Sequence, residues 1–142
     1  MVIFKKIKKE VRILGVDDGP FAGAKTVLVG AVFRGGQFMD GVLKTEITVD
    51  GTDAEEKFVK MVNESKFEDL RAVFTDGITF GGFNTINIQA VSEKTGLPVV
   101  AVSRKKPDLE KFLSAAANLP HAQAIEAAGP LHSTESSLRC TG

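Results

Sequence analysis

The 142 residues suit one domain with its own core, and 43% hydrophobic with 25% charged residues is globular composition, which excludes a disordered or fibrous chain. Lysine plus arginine equal aspartate plus glutamate at 18 each, so no global positive field drives nonspecific nucleic-acid binding, and any polyanion site has to be local. The single cysteine, Cys140, has no internal disulfide partner, lysines interrupt Met1–Lys9, and the longest apolar runs, such as Val27 to Phe33, fall far short of the ~20 residues a membrane helix needs; the expectation is a cytoplasmic protein with no membrane partner.

Lys5, Lys6, Lys8 and Lys9 read as a solubilising terminus. Val11-Arg12-Ile13-Leu14-Gly15-Val16 is β-prone and stops at Asp17-Asp18-Gly19-Pro20, a cluster of turn formers, which predicts a first strand. A second strand is predicted over Thr26 to Phe33 and, after the hairpin-like break Gly35-Gly36, a third over Gly41 to Val49. Thr52 followed by Glu55 has the spacing of a capping box, and Ala54, Phe58, Met61 and Val62 recur at helical spacing, so a helix starts near Asp53. Leu70 to Phe74, ending in Asp76-Gly77, predicts a fourth strand. Phe83, Ile86, Ala90 and Val91 make a helical stripe that closes at Thr95-Gly96, and Leu97 to Val102 predicts a fifth strand. Pro107 suits a first helical position, with Leu109, Phe112, Leu113 and Ala116 on one face of the helix that follows. The alanine-rich stretch Ala115 to Ala128 reads equally as helix or as strand with loops.

This order, βββαβαβα, describes a single α/β domain over residues 1–142, with 119–142 an uncertain C-terminal extension. Right-handed crossovers place the fourth strand beside the first, giving a mixed five-stranded sheet of order 3-2-1-4-5 covered by helices. Asp17 and Asp76 then meet at adjacent strand ends, where ligands of such sheets bind. Two close carboxylates repel, and Mg²⁺ or Mn²⁺ relieves the repulsion while polarising a phosphate. Against this, Asp and Gly at Asp17-Asp18-Gly19 and Asp76-Gly77 also form turns for backbone reasons alone.

Gly81-Gly82-Phe83-Asn84 leads toward a helix whose backbone N–H groups are suited to an anion, although the spacing and lysine of a P-loop are absent. Phe80 reads as a base-stacking ring or, more simply, as core. Arg104-Lys105-Lys106 ends the fifth strand on the edge that carries the aspartates, placed to hold a phosphodiester or to form a solvated turn. His121 and His132 lack metal-ligand spacing with each other or with Cys140, which argues against zinc.

Four blocks carry a family resemblance: Ile13-Leu14-Gly15-Val16-Asp17-Asp18-Gly19-Pro20-Phe21, Val49-Asp50-Gly51-Thr52-Asp53-Ala54, Gly77-Ile78-Thr79-Phe80-Gly81-Gly82-Phe83-Asn84, and Leu97-Pro98-Val99-Val100-Ala101-Val102-Ser103-Arg104-Lys105-Lys106-Pro107-Asp108. In that order, over Arg12 to Asp108, they resemble the archaeal family catalogued as domain of unknown function ninety-nine. That family is similar to endonuclease V, a magnesium-dependent nuclease with a ribonuclease H-like fold that cleaves near deaminated purines. The resemblance implies that fold, with Asp17 and Asp76 as metal-binding and catalytic aspartates and Arg104 or Lys105 as the basic residue on phosphate. Gly81 and Gly82 remain a further phosphate-binding candidate. A third acid belongs near the first helix, where Glu56, Glu55 or Asp53 would serve, with Glu56 taken as the catalytic candidate.

Two departures qualify the resemblance. The chain has no tyrosine and no tryptophan, so nothing in it matches the tyrosine-containing wedge with which endonuclease V opens a duplex. Family members continue into a further helical region, whereas Pro130 to Gly142 is short and Ser/Thr-rich, offering at best His132 or Glu135 as a late ligand. The expected activity is a divalent-metal-dependent nuclease or phosphodiesterase on nucleic acid. The alternative is a catalytically inactive relative that binds nucleic acid or protein. A small-molecule phosphate or nucleotide binder built on Gly81-Gly82 is a third reading. No oligomeric state is implied.

Overall fold

In the computed structural model, which describes residues 6–103 and 109–117, the β-branched runs form strands β1 (Arg12–Asp18), β2 (Lys25–Arg34) and β3 (Phe38–Thr48). Helix α1 (Ala54–Asn63) and β4 (Leu70–Asp76) follow, then a short hairpin of β5 (Thr79–Phe80) and β6 (Asn84–Thr85), helix α2 (Ile88–Thr95), β7 (Val99–Val102) and helix α3 (Leu109–Ala116). The main sheet has the order β3-β2-β1-β4-β7, which is the expected 3-2-1-4-5 with β7 as its fifth strand. β1 is antiparallel to β2 and parallel to β4, and β4 is parallel to β7, so the sheet is mixed as the element order requires. Gly35 and Gly36, at φ 64° and 73°, supply the left-handed residues of the β2–β3 turn.

Strand alternation decides what is buried. Leu14 and Val16 of β1, Leu28 and Val32 of β2, Ile47 of β3 and Val73 of β4 share one sheet face and are buried against Phe58, Met61 and Val62 of α1. The spacing of those helical residues is the stripe that the sequence displays. Phe80 is 1% exposed, with its ring centroid 6.2 Å from that of Phe58, so it belongs to the core and is not a base-stacking ring.

Two local expectations are replaced by tertiary contacts. The Thr52/Glu55 capping box does not form: the cap residue is Asp53, which makes no side-chain bond into the helix. Glu55 instead accepts from Asn87 N at 3.1 Å and pairs with Lys94 Nζ at 3.0 Å, tying α1 to α2. The second helix also begins later than its apolar stripe suggests. Residues 79–85 form the β5–β6 hairpin, because Ile86 and Phe80 are needed in the core while Asn87 caps the helix through Gln89 N and Ala90 N. Gly96, at φ 71°, closes α2 as expected. The side chains of Leu109, Phe112, Leu113 and Ala116, and most of the alanine-rich stretch, lie outside the described residues.

Asn84 joins these parts. Fully buried, its Oδ1 accepts from Ala54 N at 2.9 Å while its Nδ2 donates to Thr48 O at 2.8 Å and to Asp53 Oδ1 at 2.7 Å. One amide thus pins the end of β3, the start of α1 and β6 together. Its removal as Asn84→Ala leaves buried groups unpaired, at about 1–3 kcal/mol for each. Asn84→Asp is expected to be worse at neutral pH, because it sets a carboxylate against Asp53 Oδ1 and Thr48 O. Thermal melts of both variants at pH 7 check this; an Asn84→Asp protein as stable as Asn84→Ala would show that the network is not as described.

Candidate functional site

The β1–β4 register builds the site. Leu14 lies opposite Val73 and Val16 opposite Thr75, so the next residues along, Asp17 and Asp76, end adjacent strands about 4.8 Å apart. Val16 and Thr75 are buried on the α1 side, so alternation turns Asp17 and Asp76 together to the other face, where both are exposed. Asp17 and Asp18 are the last two residues of β1, not the turn that their composition also allows. They point to opposite faces and have different roles.

Asp18 is half-buried, and its Oδ2 accepts from Gly81 N at 2.6 Å. That bond takes up the N–H of a residue whose backbone was a phosphate-binding candidate. Gly81 O in turn accepts from Asp50 N at 2.8 Å, and Asp50 Oδ1 accepts from Phe83 N at 2.9 Å. Gly82 has φ 84°, and a Cβ there would stand 2.2 Å from Asp50 Oδ1. Gly81 and Gly82 therefore occupy a hairpin turn folded around Asp50, five or more residues before α2, and not a helix N-terminus. The physical reason for both glycines is this close packing and positive φ.

Asp17 carries its charge at a cost. Burial, then the neighbouring negative charges of Asp18 and Asp76, push its carboxyl above the ordinary value of 3.8, with only the Asp18 N–H, 2.8 Å from Oδ1, working the other way. Asp53 is the contrast. Burial alone would raise its pKa, but hydrogen bonds from Thr48 N at 3.0 Å, from Asn84 and from Thr48 Oγ1 at 3.0 Å hold it below the ordinary value.

The acids at the start of α1 divide in the same way. Asp53 and Glu55 are committed to the fold, whereas Glu56 is exposed. α1 packs on the face that holds Leu14 and Gly30, opposite to the one that Asp17 and Asp76 leave, although it starts at the same end of the sheet. Among the described residues no three His, Cys, Asp or Glu side chains are gathered as a metal site, so Asp17 and Asp76 are brought together and Glu56 does not join them. Arg104 and Lys105, with His121, His132, Glu135 and Cys140, lie outside the described residues. The contribution that sequence reasoning missed is Asp18, whose signal was only that it continues the buried alternation of Leu14 and Val16.

A family model described as endonuclease dU matches residues 9–137. The chain belongs to that family. UPF0215 proteins are its curated relatives: that of Methanothermobacter thermautotrophicus is 48% identical over 145 residues, covering 94% of this chain and 70% of its own length. That of Methanopyrus kandleri is 44% identical, covering 92% and 70%, and that of Methanosarcina barkeri 50% identical, covering 80% and 59%. The crystal structure of a protein of unknown function from Archaeoglobus fulgidus matches with TM-score 0.78 at 46% identity, over 82% of this chain and 67% of that one. Human endonuclease V matches with TM-score 0.50 at 11% identity, over 76% of this chain and 54% of its own, a likeness that concerns the ribonuclease H-like fold alone. Among the described residues no helix is long and apolar enough to cross a membrane.

A raised carboxyl pKa means that the folded protein holds its proton where the unfolded chain has lost it. Asp17 therefore subtracts stability as the pH rises through the window that begins near 3.8, and the whole cost is felt above its raised pKa. Asp17→Asn keeps the acceptor for Asp18 N and removes the charge. Its melting temperature should exceed that of the wild type at pH 7 and match it below about pH 3. An Asn variant that melts lower at pH 7 would refute the strained carboxylate.

Proposed function

We propose that the protein is a divalent-metal-dependent nuclease acting on nucleic acid, with Asp17 and Asp76 as the metal ligands. The observation that carries this reading is the pair itself: two solvent-accessible carboxylates at the ends of adjacent parallel strands, one of them partly desolvated and set beside acidic neighbours. Mg²⁺ suits such a pair, because it commonly takes one or two carboxylates and completes its shell with water and substrate phosphate. When bound, the metal would polarise the scissile phosphate and lower the pKa of water.

The chain's own residues do the positioning. The central β1–β4 pairing fixes the spacing of the two carboxylates, and the bond from Asp18 N to Asp17 Oδ1 orients one of them. Arg104 and Lys105 follow β7, the strand beside Asp76, and are proposed to bind the phosphodiester. Glu56, exposed at the start of α1 at the same end of the sheet but not gathered with the pair, is the proposed third carboxylate, which a bound metal would have to draw in. The family's description as an endonuclease supports the reaction class, and its "dU" makes a deoxyuridine-bearing strand the first substrate to try. The absence of a third acid beside the pair among the described residues favours a second reading, a catalytically inactive relative that binds nucleic acid or protein.

The test is cleavage of end-labelled DNA and RNA oligonucleotides, plain or bearing one deoxyuridine or deoxyinosine, with Mg²⁺, with Mn²⁺ and with a chelator. Metal-dependent cleavage is expected, with Asp17→Ala and Asp76→Ala each losing roughly 10²–10³-fold, the scale of removing one group that stabilises transition-state charge. Glu56→Ala should lose activity as well if it completes the site. Metal-independent binding without cleavage by a folded wild type would replace the enzyme with the inactive relative.

A further inference from the structure

β3 is an edge strand that is closed at one end and open in the middle. At its C-terminal end, Thr48 donates its N–H to Asp53 Oδ1 and receives Asn84 Nδ2 on its carbonyl, so the backbone groups of Thr48 point away from β2. Val49 N bonds back to Ala24 O, on the β2 side. Antiparallel alternation then aims the N–H and C=O of Glu46, Lys44 and Val42 outward too, along a strand whose one neighbour among the described residues is β2. Toward the start of β3 the register with β2 slips, between Val32 opposite Gly41 and Phe33 opposite Met39. The open ladder is therefore the stretch from Val42 to Glu46. Among the described residues no proline, bulge or covering segment lies along it, and the charges of Lys44 and Glu46 are what it presents to a neighbouring strand.

The side chains on this stretch carry an unpaired code. Lys44 and Glu46 are exposed, and their neighbours across the ladder on β2 are Val29 and Val27. Among the described residues neither of them forms an ion pair. Beside them Phe38, Met39 and Val42 are 54%, 60% and 56% exposed. Between this stretch and the end of α1 lies a groove lined by Gly41, Val42, Leu43, Met61, Lys66 and Phe67, which leaves room alongside the strand.

We propose that β3 pairs antiparallel with β3 of a second copy of this chain, about a two-fold axis through Thr45, to make one continuous sheet across a dimer. The charge order selects that register. Centred on Thr45, Lys44 of each copy stands opposite Glu46 of the other, in pairs whose outward backbone groups exchange N–H to C=O bonds. Centring on Lys44 or on Glu46 sets like charges face to face, and centring on Leu43 sets Glu46 against Asp40. In this register Val42 of each copy faces Thr48 of the other, whose backbone groups are already bonded to Asp53 and Asn84, so the shared ladder consists of the two Lys44–Glu46 pairs with the Thr45 pair between them. The Thr45 register is isologous, as a closed dimer requires.

The experiment measures the mass of the 142-residue chain in solution by light scattering after size exclusion, at high-micromolar concentration. A dimer of twice 15.2 kDa is expected. Lys44→Glu and Glu46→Lys alone should each shift the protein to monomer, because each sets like charges opposite, while the double reversal restores the dimer. Circular dichroism shows whether each variant is folded. In a Cys140→Ser background, Thr45→Cys should form an intermolecular disulfide under mild oxidation, because non-hydrogen-bonded antiparallel pairs bring Cα atoms to about 4.5 Å, within disulfide reach. A monomeric wild type overturns the proposal and leaves the edge to an extended segment of some other protein. A dimer that survives both single reversals and does not cross-link at position 45 overturns it as well.

Discussion

The parallel pairing of β1 with β4 is the constraint on which the rest of the molecule depends. It sets Leu14 opposite Val73 and Val16 opposite Thr75, which fills the face under α1, and it leaves the next pair of residues as two aspartates on the other face. Core and site are alternate residues of the same two strands. A slip of β4 by one position would turn Asp76 under the helix and Thr75 out to solvent, so burial of the hydrophobic face and placement of the carboxylates are enforced by one register. The site costs little in design because the core holds it.

The acidic residues around it fall into two groups, those whose carboxylates the backbone binds and one that its surroundings oppose, and Asp53 and Asp17 show the opposite directions of shift. Asp18, Asp50, Asp53 and Glu55 accept hydrogen bonds from backbone N–H groups and hold the β5–β6 hairpin, the start of α1 and the start of α2 in place. Asp17 gains from one backbone N–H and is otherwise opposed by burial and by the charges of Asp18 and Asp76. Charges of the first kind are what a fold needs. A charge of the second kind contributes nothing to stability, and such carboxylates are found more often at functional sites than elsewhere.

The strands and their order were legible because β-branched runs, Gly35-Gly36 and right-handed crossover chemistry all point to the same sheet, and the family blocks agree with them. The meeting of Asp17 with Asp76 was legible for the same reason: it follows from topology, not from side-chain detail. What escaped was tertiary. Turn-forming composition hid the fact that Asp17 and Asp18 complete β1, since only pairing with Val29 and Leu28 of β2 keeps them extended. The Gly81-Gly82 pair looked like the approach to a helix, and its real purpose, room for Asp50, depends on a residue 32 positions away (82 − 50). The position of Glu56 relative to the aspartates depends on which sheet face α1 covers, a choice to which helical periodicity is blind.

The sheet also contains very different loop lengths. β2 and β3 are joined through Gly35-Gly36, so Arg34 and Phe38 close a loop of a few residues, whereas Val16 and Thr75 are 59 positions apart (75 − 16). Closure entropy rises with the logarithm of loop length, and it must be met before a distant contact returns anything. The β2–β3 ribbon is thus the local part of the molecule and the β1–β4 seam the nonlocal part. A chain collapsed around its hairpin alone already possesses an ordered edge, but it has no neighbouring carboxylates until β4 arrives, so a partly folded chain lacks the pair on which the chemistry would depend.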